Sequence, residues 1–259
     1  MVKIALNHIT PMLFLALRFW MGAFLLIPVC VIMKVRWSVS YLRKGFFIGI
    51  FMFLGMFFQT IGLKYTTASN SGFITGLAVV FVPILVVLIE KRIPNRASVV
   101  GVILATLGIF FLTQPQDHGL NRGDFFTLLC AVSFAFEILL IEMLVKNGEA
   151  LGIALIICSV TALLSSISIP VFYGFSLKLN LELLMTLGYV SIFCTALGFT
   201  IQTYWQPRTT ATTAAVIFAT EPVFAVLFSM LILRETMIWS GWMGGGFILC
   251  GMLISELRK

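Results

Sequence analysis

Uninterrupted apolar runs of about twenty residues limit the folds open to this chain more than any other feature. The stretch from Phe73 to Ile89, FITGLAVVFVPILVVLI, contains no charged side chain. A bilayer hydrocarbon core is crossed by about 20 such residues in helical form. Nine runs qualify: Pro11–Met33, Leu42–Leu63, Ala68–Ile89, Ala97–Thr113, Gly123–Ile141, Leu151–Phe175, Leu181–Trp205, Thr210–Leu233 and Met237–Ser255. None alternates apolar and polar residues at period two, which argues against a transmembrane β-barrel. Composition excludes the remaining classes. Only 10% of the 259 residues are charged and 60% are hydrophobic, whereas soluble domains carry about 25% charged residues. So much apolar surface is incompatible with disorder. The expected fold is therefore all-α, a polytopic membrane helical bundle.

The connections are short and hold the charges. One set of loops carries eleven of the 17 basic residues (Lys34, Arg36, Arg43, Lys44, Lys91, Arg92, Arg96, Lys146, Arg208, Arg258, Lys259). The other set carries Lys3, Lys64, Arg122, Lys178 and Arg234, and Arg18 lies inside a span. The richer side is expected to be cytoplasmic, which puts the C-terminus inside and residue 1 outside. The basic balance is thus a matter of orientation. No Lys/Arg block interleaved with aromatics is present, so no nucleic-acid partner is expected. The run Pro11–Met33 is too long for a signal peptide, contains Arg18 and lacks a small-residue cleavage pattern. Five cysteines (Cys30, Cys130, Cys158, Cys194, Cys250) fall in apolar runs without a C-x-x-C pair, and are read as small buried hydrophobes.

The chain repeats itself. Shifted by 143 positions, GMFFQTIGLKYTTA from Gly55 aligns without a gap on GFTIQTYWQPRTTA from Gly198, with six of 14 positions identical. The same shift pairs Gly101 with Gly244 and Gly108 with Gly251. Residues 1–115 and 122–259 are the expected repeats. The second holds five spans and the first only four, as though a first helix were missing ahead of Met1–Ile9. A full version would have ten spans as five plus five. Duplication of an odd unit inverts it, and inverted repeats are a common transporter construction.

These residues resemble a known family. TPMLFLALRF from Thr10, QTIGLKYTTASNSGF from Gln59 and TTATTAAVIFATEPVFAVLFSMLILRE from Thr209 are similar to EamA-type members of the drug/metabolite transporter superfamily. Glu221–Pro222, followed by Arg234–Glu235, is the most specific piece. The resemblance implies a secondary transporter of small metabolites, often an exporter, in the cytoplasmic membrane.

Polar groups inside the spans are the candidate pathway residues, since an ionisable group at the helix centre costs about 2.5–3.5 kcal/mol on insertion scales. Glu221 precedes Pro222, which is expected to kink its helix and free a carbonyl. It either binds a cation or proton, or is a structural carboxyl. Glu137 is a pathway carboxylate or a partner of Arg18. Arg18 either snorkels outward on its long stem or offers a fork to an anionic substrate. Gln59 and Gln202 are repeat equivalents, each four residues after a glycine, and suit either interhelical bonding or a cavity wall. Thr203 follows Gln202 as Thr60 follows Gln59. Thr67, Ser71 and Thr75 form one polar stripe. Gly241 and Gly245 make a G-x-x-x-G for packing, with a homodimer interface as the sharper alternative.

Three absences bear on the class. No G-x-x-x-x-G-K-[ST] motor motif occurs. No H-E-x-x-H occurs, and the two histidines, His8 and His118, fall at or near the outer face. No G-x-S-x-G nucleophile occurs. No cofactor and no metal are expected. The partners expected are a small-molecule substrate, protons or another coupling ion, and the lipid bilayer. The competing readings are a non-transporting or truncated membrane subunit and a membrane-embedded lipid-modifying enzyme.

Overall fold

A computed structural model describes residues 8–114, 121–146, 148–172, 180–224, 227 and 239–256. All of the regular elements among them are helices. They are α1 (Pro11–Ile32), α2 (Val39–Gly62), α3 (Ala68–Gly76), α4 (Ala78–Leu85), α5 (Arg96–Thr113), α6 (Arg122–Leu144), α7 (Ala150–Phe172), α8 (Leu181–Tyr189), α9 (Gly198–Trp205), α10 (Ala211–Phe218) and α11 (Trp239–Glu256). Two wide π-helical segments, Val86–Glu90 after α4 and Val190–Leu197 between α8 and α9, carry the backbone on without a loop. Seven described helical stretches are long and apolar enough to cross a membrane, and Ala211–Phe224 is a shorter apolar one. The end of the eighth expected span, Arg234–Glu235 and His118 lie outside the described residues.

Local sequence sets the helix starts. Pro11 occupies the first turn of α1, where its missing N–H costs nothing. Asn95 caps α5 by accepting from the Ser98 backbone N–H at 2.7 Å. Thr67 and Thr210 accept from the N–H groups of Asn70 and Thr213 at 3.1 and 3.2 Å. Those two caps are 143 residues apart, as are the bounds of α5 and α11. The long apolar run from Phe73 breaks at Leu77, with ψ near −7°, and the chain after α10 breaks likewise at Ala219, with ψ near −11°.

The chain forms two compact units, and each draws on both halves of the sequence. The first comprises Met1–Phe57 and Leu140–Arg208. Here α1 packs antiparallel to α7: Trp20 Nε1 donates to Ser166 Oγ at 3.1 Å toward one end, and Cys30 Sγ reaches the Leu151 carbonyl at 3.9 Å toward the other. α2 runs parallel to α7 with almost no gap. A Cβ on Gly45 would lie 2.6 Å from Ile156 Cβ, and one on Gly49 would lie 2.8 Å from Val160 Cβ. Thr161 donates to the Gly49 carbonyl at 3.3 Å across this contact. Lipid gives helices no hydrophobic reason to associate, so small residues and hydroxyls hold them.

The second unit comprises Phe58–Leu139 and Thr209–Lys259. Its core gathers Val79, Val82, Val102, Ala105, Ile109, Leu139, Val216 and Ile248. α5 and α11 cross antiparallel through glycines. A Cβ on Gly108 would lie 2.6 Å from the Gly244 carbonyl oxygen, and one on Gly101 would lie 2.8 Å from that of Gly251. The 143-residue shift converts each of these contacts into the other. Outward-facing positions are apolar, with Phe24, Ile32, Leu88, Ile103 and Leu163 all exposed, as a lipid-facing surface requires.

α6 begins with a reciprocal cap. Asn121 Oδ1 accepts from the Asp124 N–H at 3.0 Å, and Asp124 Oδ2 accepts from the Asn121 N–H at 3.1 Å. Thr66 Oγ1 adds a 2.6 Å bond to Asp124 Oδ1, and the carboxylate is buried. Asp124→Ala is expected to lower stability by about 2 kcal/mol, from the lost cap and the stranded donors. Denaturant titration of the purified protein in detergent measures it, and Asp124→Asn should lose less.

Candidate functional site

The polar residues expected inside the spans fall into both units. In the first, Arg18 stands in the second turn of α1, half-buried. Its Nε donates to Thr195 Oγ1 at 2.8 Å, and its guanidinium carbon lies 5.3 Å from the centroid of the Phe19 ring. Thr195 belongs to the wide segment Val190–Leu197 and donates back to the Val190 carbonyl at 3.1 Å. Wide turns of this kind occur mostly as single interruptions of α-helices, frequently at functional sites. Gly22, one turn beyond Arg18, lets Thr195 come close: a Cβ there would lie 2.7 Å from Thr195 Cγ2. Ser191 and Thr195 are both fully buried, and among the described residues the Ser191 hydroxyl has no hydrogen-bond partner.

Further along the same strand of helix, Gln202 Nε2 donates to Gln206 Oε1 at 3.1 Å, within one turn. Thr203 is fully buried and bonds the Phe199 carbonyl at 2.7 Å and the Ala150 carbonyl at 3.1 Å, tying α9 to the start of α7. Gly198 behaves differently from the expectation of a close helix approach. Among the described residues, the nearest atom to a Cβ placed there is the Phe193 carbonyl oxygen of its own chain, at 3.4 Å. Close approach in this unit is made instead at Gly22, Gly45 and Gly49.

In the second unit Glu137 is buried on α6 beside core residues Ala135, Ile138 and Leu139. Gln59 is half-buried near the end of α2. Thr75 Oγ1 and Cys130 Sγ share a contact at 3.9 Å, close to the limit for sulfur. Glu221 is exposed and opens the helical turn after the break at Ala219. Pro222 therefore sits in the first turn of a resumed helix, where a proline disrupts nothing. The break lies ahead of it: Thr220 Oγ1 donates to the Ile217 carbonyl at 2.6 Å, closing the turn.

Several polar groups were not singled out from sequence. Thr213 is a hub: its hydroxyl lies 3.0 Å from that of Thr210, 3.3 Å from that of Ser255 and 3.4 Å from that of Ser98. The hub joins α5, α10 and α11. Ser191, Thr195 and Ser166 also escaped notice, although a Ser-x-x-x-Thr spacing in an apolar helix was legible. Among the described residues no group of three or more His, Cys, Asp or Glu side chains is placed to hold a metal. Three cysteines, Cys30, Cys130 and Cys158, are buried as expected, whereas Cys194 and Cys250 are exposed. Both exposed cysteines lie on apolar helices, where facing lipid costs a thiol little.

These features are those of a multi-pass helical protein whose helices are long and apolar enough to cross a membrane. The chain belongs to the EamA-like transporter family, which matches residues 1–114 and again 121–257; EamA proteins form part of the drug/metabolite transporter superfamily. An uncharacterized transporter of Archaeoglobus fulgidus is 35% identical over 257 residues, covering 99% of this chain and 80% of that protein. The uncharacterized transporter YetK of Bacillus subtilis is 22% identical over 271 residues, covering 99% and 82%. One crystal structure superposes with a TM-score of 0.83 over 98% of this chain and 91% of the other, at 17% identity. That likeness concerns the fold alone.

Proposed function

We propose that this chain is a secondary transporter that exports small metabolites or drugs across the cytoplasmic membrane, with its C-terminus inside. The observation that carries the reading is the antiparallel pairing of equivalent helices. α5 lies on α11, and α1 lies on α7, with directions opposed in both cases. Duplicated helices of opposite polarity are what an inverted repeat requires, and such repeats support alternating access. The repeats in this reading are residues 1–115 and 122–259. Substrate binding then shifts the populations of inward- and outward-facing states. Arg18, Glu137, Gln59, Gln202, Thr75, Thr203 and Glu221 supply the polar groups along the pathway, and Glu221 couples transport to protons or another ion.

Efflux from vesicles at controlled internal and external pH tests this. Glu221→Gln is expected to slow transport at least tenfold and to flatten its dependence on the pH gradient. An unchanged rate with an unchanged pH profile removes Glu221 from the mechanism. Complete independence of any ion gradient in the wild type removes the coupling itself.

A further inference from the structure

We propose that Arg208, held against the rings of Tyr204 and Trp205, binds the phosphate headgroup of an anionic phospholipid at one end of the first unit. The inference needs only that the chain crosses a bilayer, and it stands apart from what the chain transports.

The spacing of three residues builds the site. Trp205 ends α9, and the chain then tightens into a short 3-10 turn, Gln206–Arg208. Side chains three and four residues apart share one face of a helix, so Arg208 returns over both rings. Its guanidinium carbon lies 4.0 Å from the centroid of the Tyr204 ring and 4.5 Å from that of Trp205. The two rings stand almost perpendicular, at 85°, with centroids 5.2 Å apart. Together they make a corner that orients the guanidinium. Attraction to ring faces uses its charge and none of its N–H groups, which fan out in the guanidinium plane. Among the described residues those N–H groups make no hydrogen bond and no ion pair, and Arg208 is exposed. An oriented planar fork matches two oxygens of a phosphate.

The surroundings select a lipid phosphate. Tyr204 and Trp205 are 45% and 60% exposed. Such rings gather at the headgroup level of a bilayer, with apolar bodies against acyl chains and polar tips toward water. Thr203 bonds the Ala150 carbonyl, which puts the cluster at the end of the unit where α7 begins. The rings of Tyr41 and Trp37 stand at the same end, 3.3 and 3.7 Å from a Cβ placed on Gly152. Lys34, Arg36, Arg43, Lys44 and Lys146 are there too, and Glu149 is already taken by Lys44. Basic clusters of this kind at a membrane edge attract anionic headgroups. A soluble anion gains nothing from exposed rings.

The internal repeat supplies the comparison. Under the 143-residue shift Tyr204, Trp205 and Arg208 fall on Ile61, Gly62 and Tyr65, inside a segment that otherwise keeps its Gln-Thr and Thr-Thr-Ala. The first copy still ends its helix at Gly62 and caps the next one with Thr67, as the second copy does with Thr210. Neither the helix end nor the cap requires the trio, so folding alone does not account for it.

The test takes the full chain, stripped of lipid in nonionic detergent, and titrates it with phosphatidylglycerol or phosphatidylcholine, counting bound lipid by native mass spectrometry. Both lipids carry a phosphate, but choline offsets the charge of the second. Wild type is expected to bind phosphatidylglycerol about fivefold more tightly than phosphatidylcholine, or better. Arg208→Gln should weaken phosphatidylglycerol binding about tenfold, and Arg208→Lys, which keeps the charge and loses the fork, about threefold. Trp205→Leu, which removes half of the corner, should also cost about threefold. Arg43→Gln removes an exposed charge at the same end and should change binding by less than about twofold. All three positions are exposed, so the unfolding midpoint of the lipid-free protein should stay in place, which separates lost binding from lost folding. Unchanged lipid binding by Arg208→Gln overturns the site. An equal loss from Arg43→Gln overturns it as well, because a diffuse positive surface then suffices. Displacement of the lipid from wild type by millimolar inorganic phosphate overturns the lipid in favour of a soluble anion. Loss of the lipid site leaves the transport reading standing, and absence of flux in vesicles leaves the lipid site standing.

Discussion

Gly244→Leu is expected to remove most of the folded protein. A Cβ at this position would lie 2.6 Å from the Gly108 carbonyl oxygen and 2.6 Å from the Leu112 backbone nitrogen. Both are main-chain atoms of α5, so no side chain can swing aside, and the helices themselves must separate. Overpacking by added methylenes typically costs 1–3 kcal/mol even where side chains yield, and a leucine adds four carbons against rigid backbone. A loss of about 4 kcal/mol takes a large share of the 5–15 kcal/mol that holds a typical domain folded. Gly246 is the internal control, since nothing lies within 4 Å of a Cβ there. Gly246→Leu on the same helix should leave yield and stability near those of the wild type. Monodisperse yield after detergent extraction, with unfolding midpoints of whatever survives, reads both variants. Equal behaviour of the two leucines would show that α5 and α11 are not held by this crossing.

The second large effect is expected at Lys44. Its Nζ lies 2.6 Å from Glu149 Oε2, and the two side chains are only 16% and 14% exposed. The same oxygen accepts from the Lys146 N–H at 3.1 Å, so the carboxylate caps the turn before α7 while it holds α2. Losing one partner of a buried pair costs about 3–5 kcal/mol, chiefly because a charge is left without compensation. The partial exposure here scales that down, to about 2 kcal/mol for Lys44→Met. Lys44→Glu should be worse, since two carboxylates then face each other. The double exchange Lys44→Glu with Glu149→Lys should recover much of the loss. Recovery stays incomplete because a lysine cannot accept from the Lys146 N–H. Thermal unfolding in detergent at two salt concentrations distinguishes this from surface charge effects: a pair this well covered should respond weakly to salt.

The spans were legible because a bilayer leaves few options. Ala97–Thr113 and Gly123–Ile141 were expected, and helices Arg96–Thr113 and Arg122–Leu144 stand there. What sequence could not give is the state of the backbone within a run. FITGLAVVFVPILVVLI reads as one apolar segment, yet it contains a break at Leu77 and a wide turn from Val86. Lipid constrains side-chain polarity and is indifferent to hydrogen-bond register, so packing between helices decides where the register slips. The compact units were hidden for a related reason. Hydropathy marks where helices are and says nothing of which helices associate, and each unit assembles pieces from both ends of the chain. Arg18 was visible as an oddity in an apolar run. Its seat was not, because Thr195 is 177 positions away.

The wide turn of Val190–Leu197 belongs to one half of the chain alone. Its counterpart under the 143-residue shift, positions 47–54, is regular α-helix inside Val39–Gly62. Two perfectly matched copies would make the two faces of an antiport or export cycle energetically degenerate, with no resting preference. A register slip at this place in one copy makes the two copies unequal in backbone as well as in sequence, which lifts that degeneracy. If transport alternates between the copies, directionality has a physical address, and straightening those eight residues would be the way to reverse or abolish the bias.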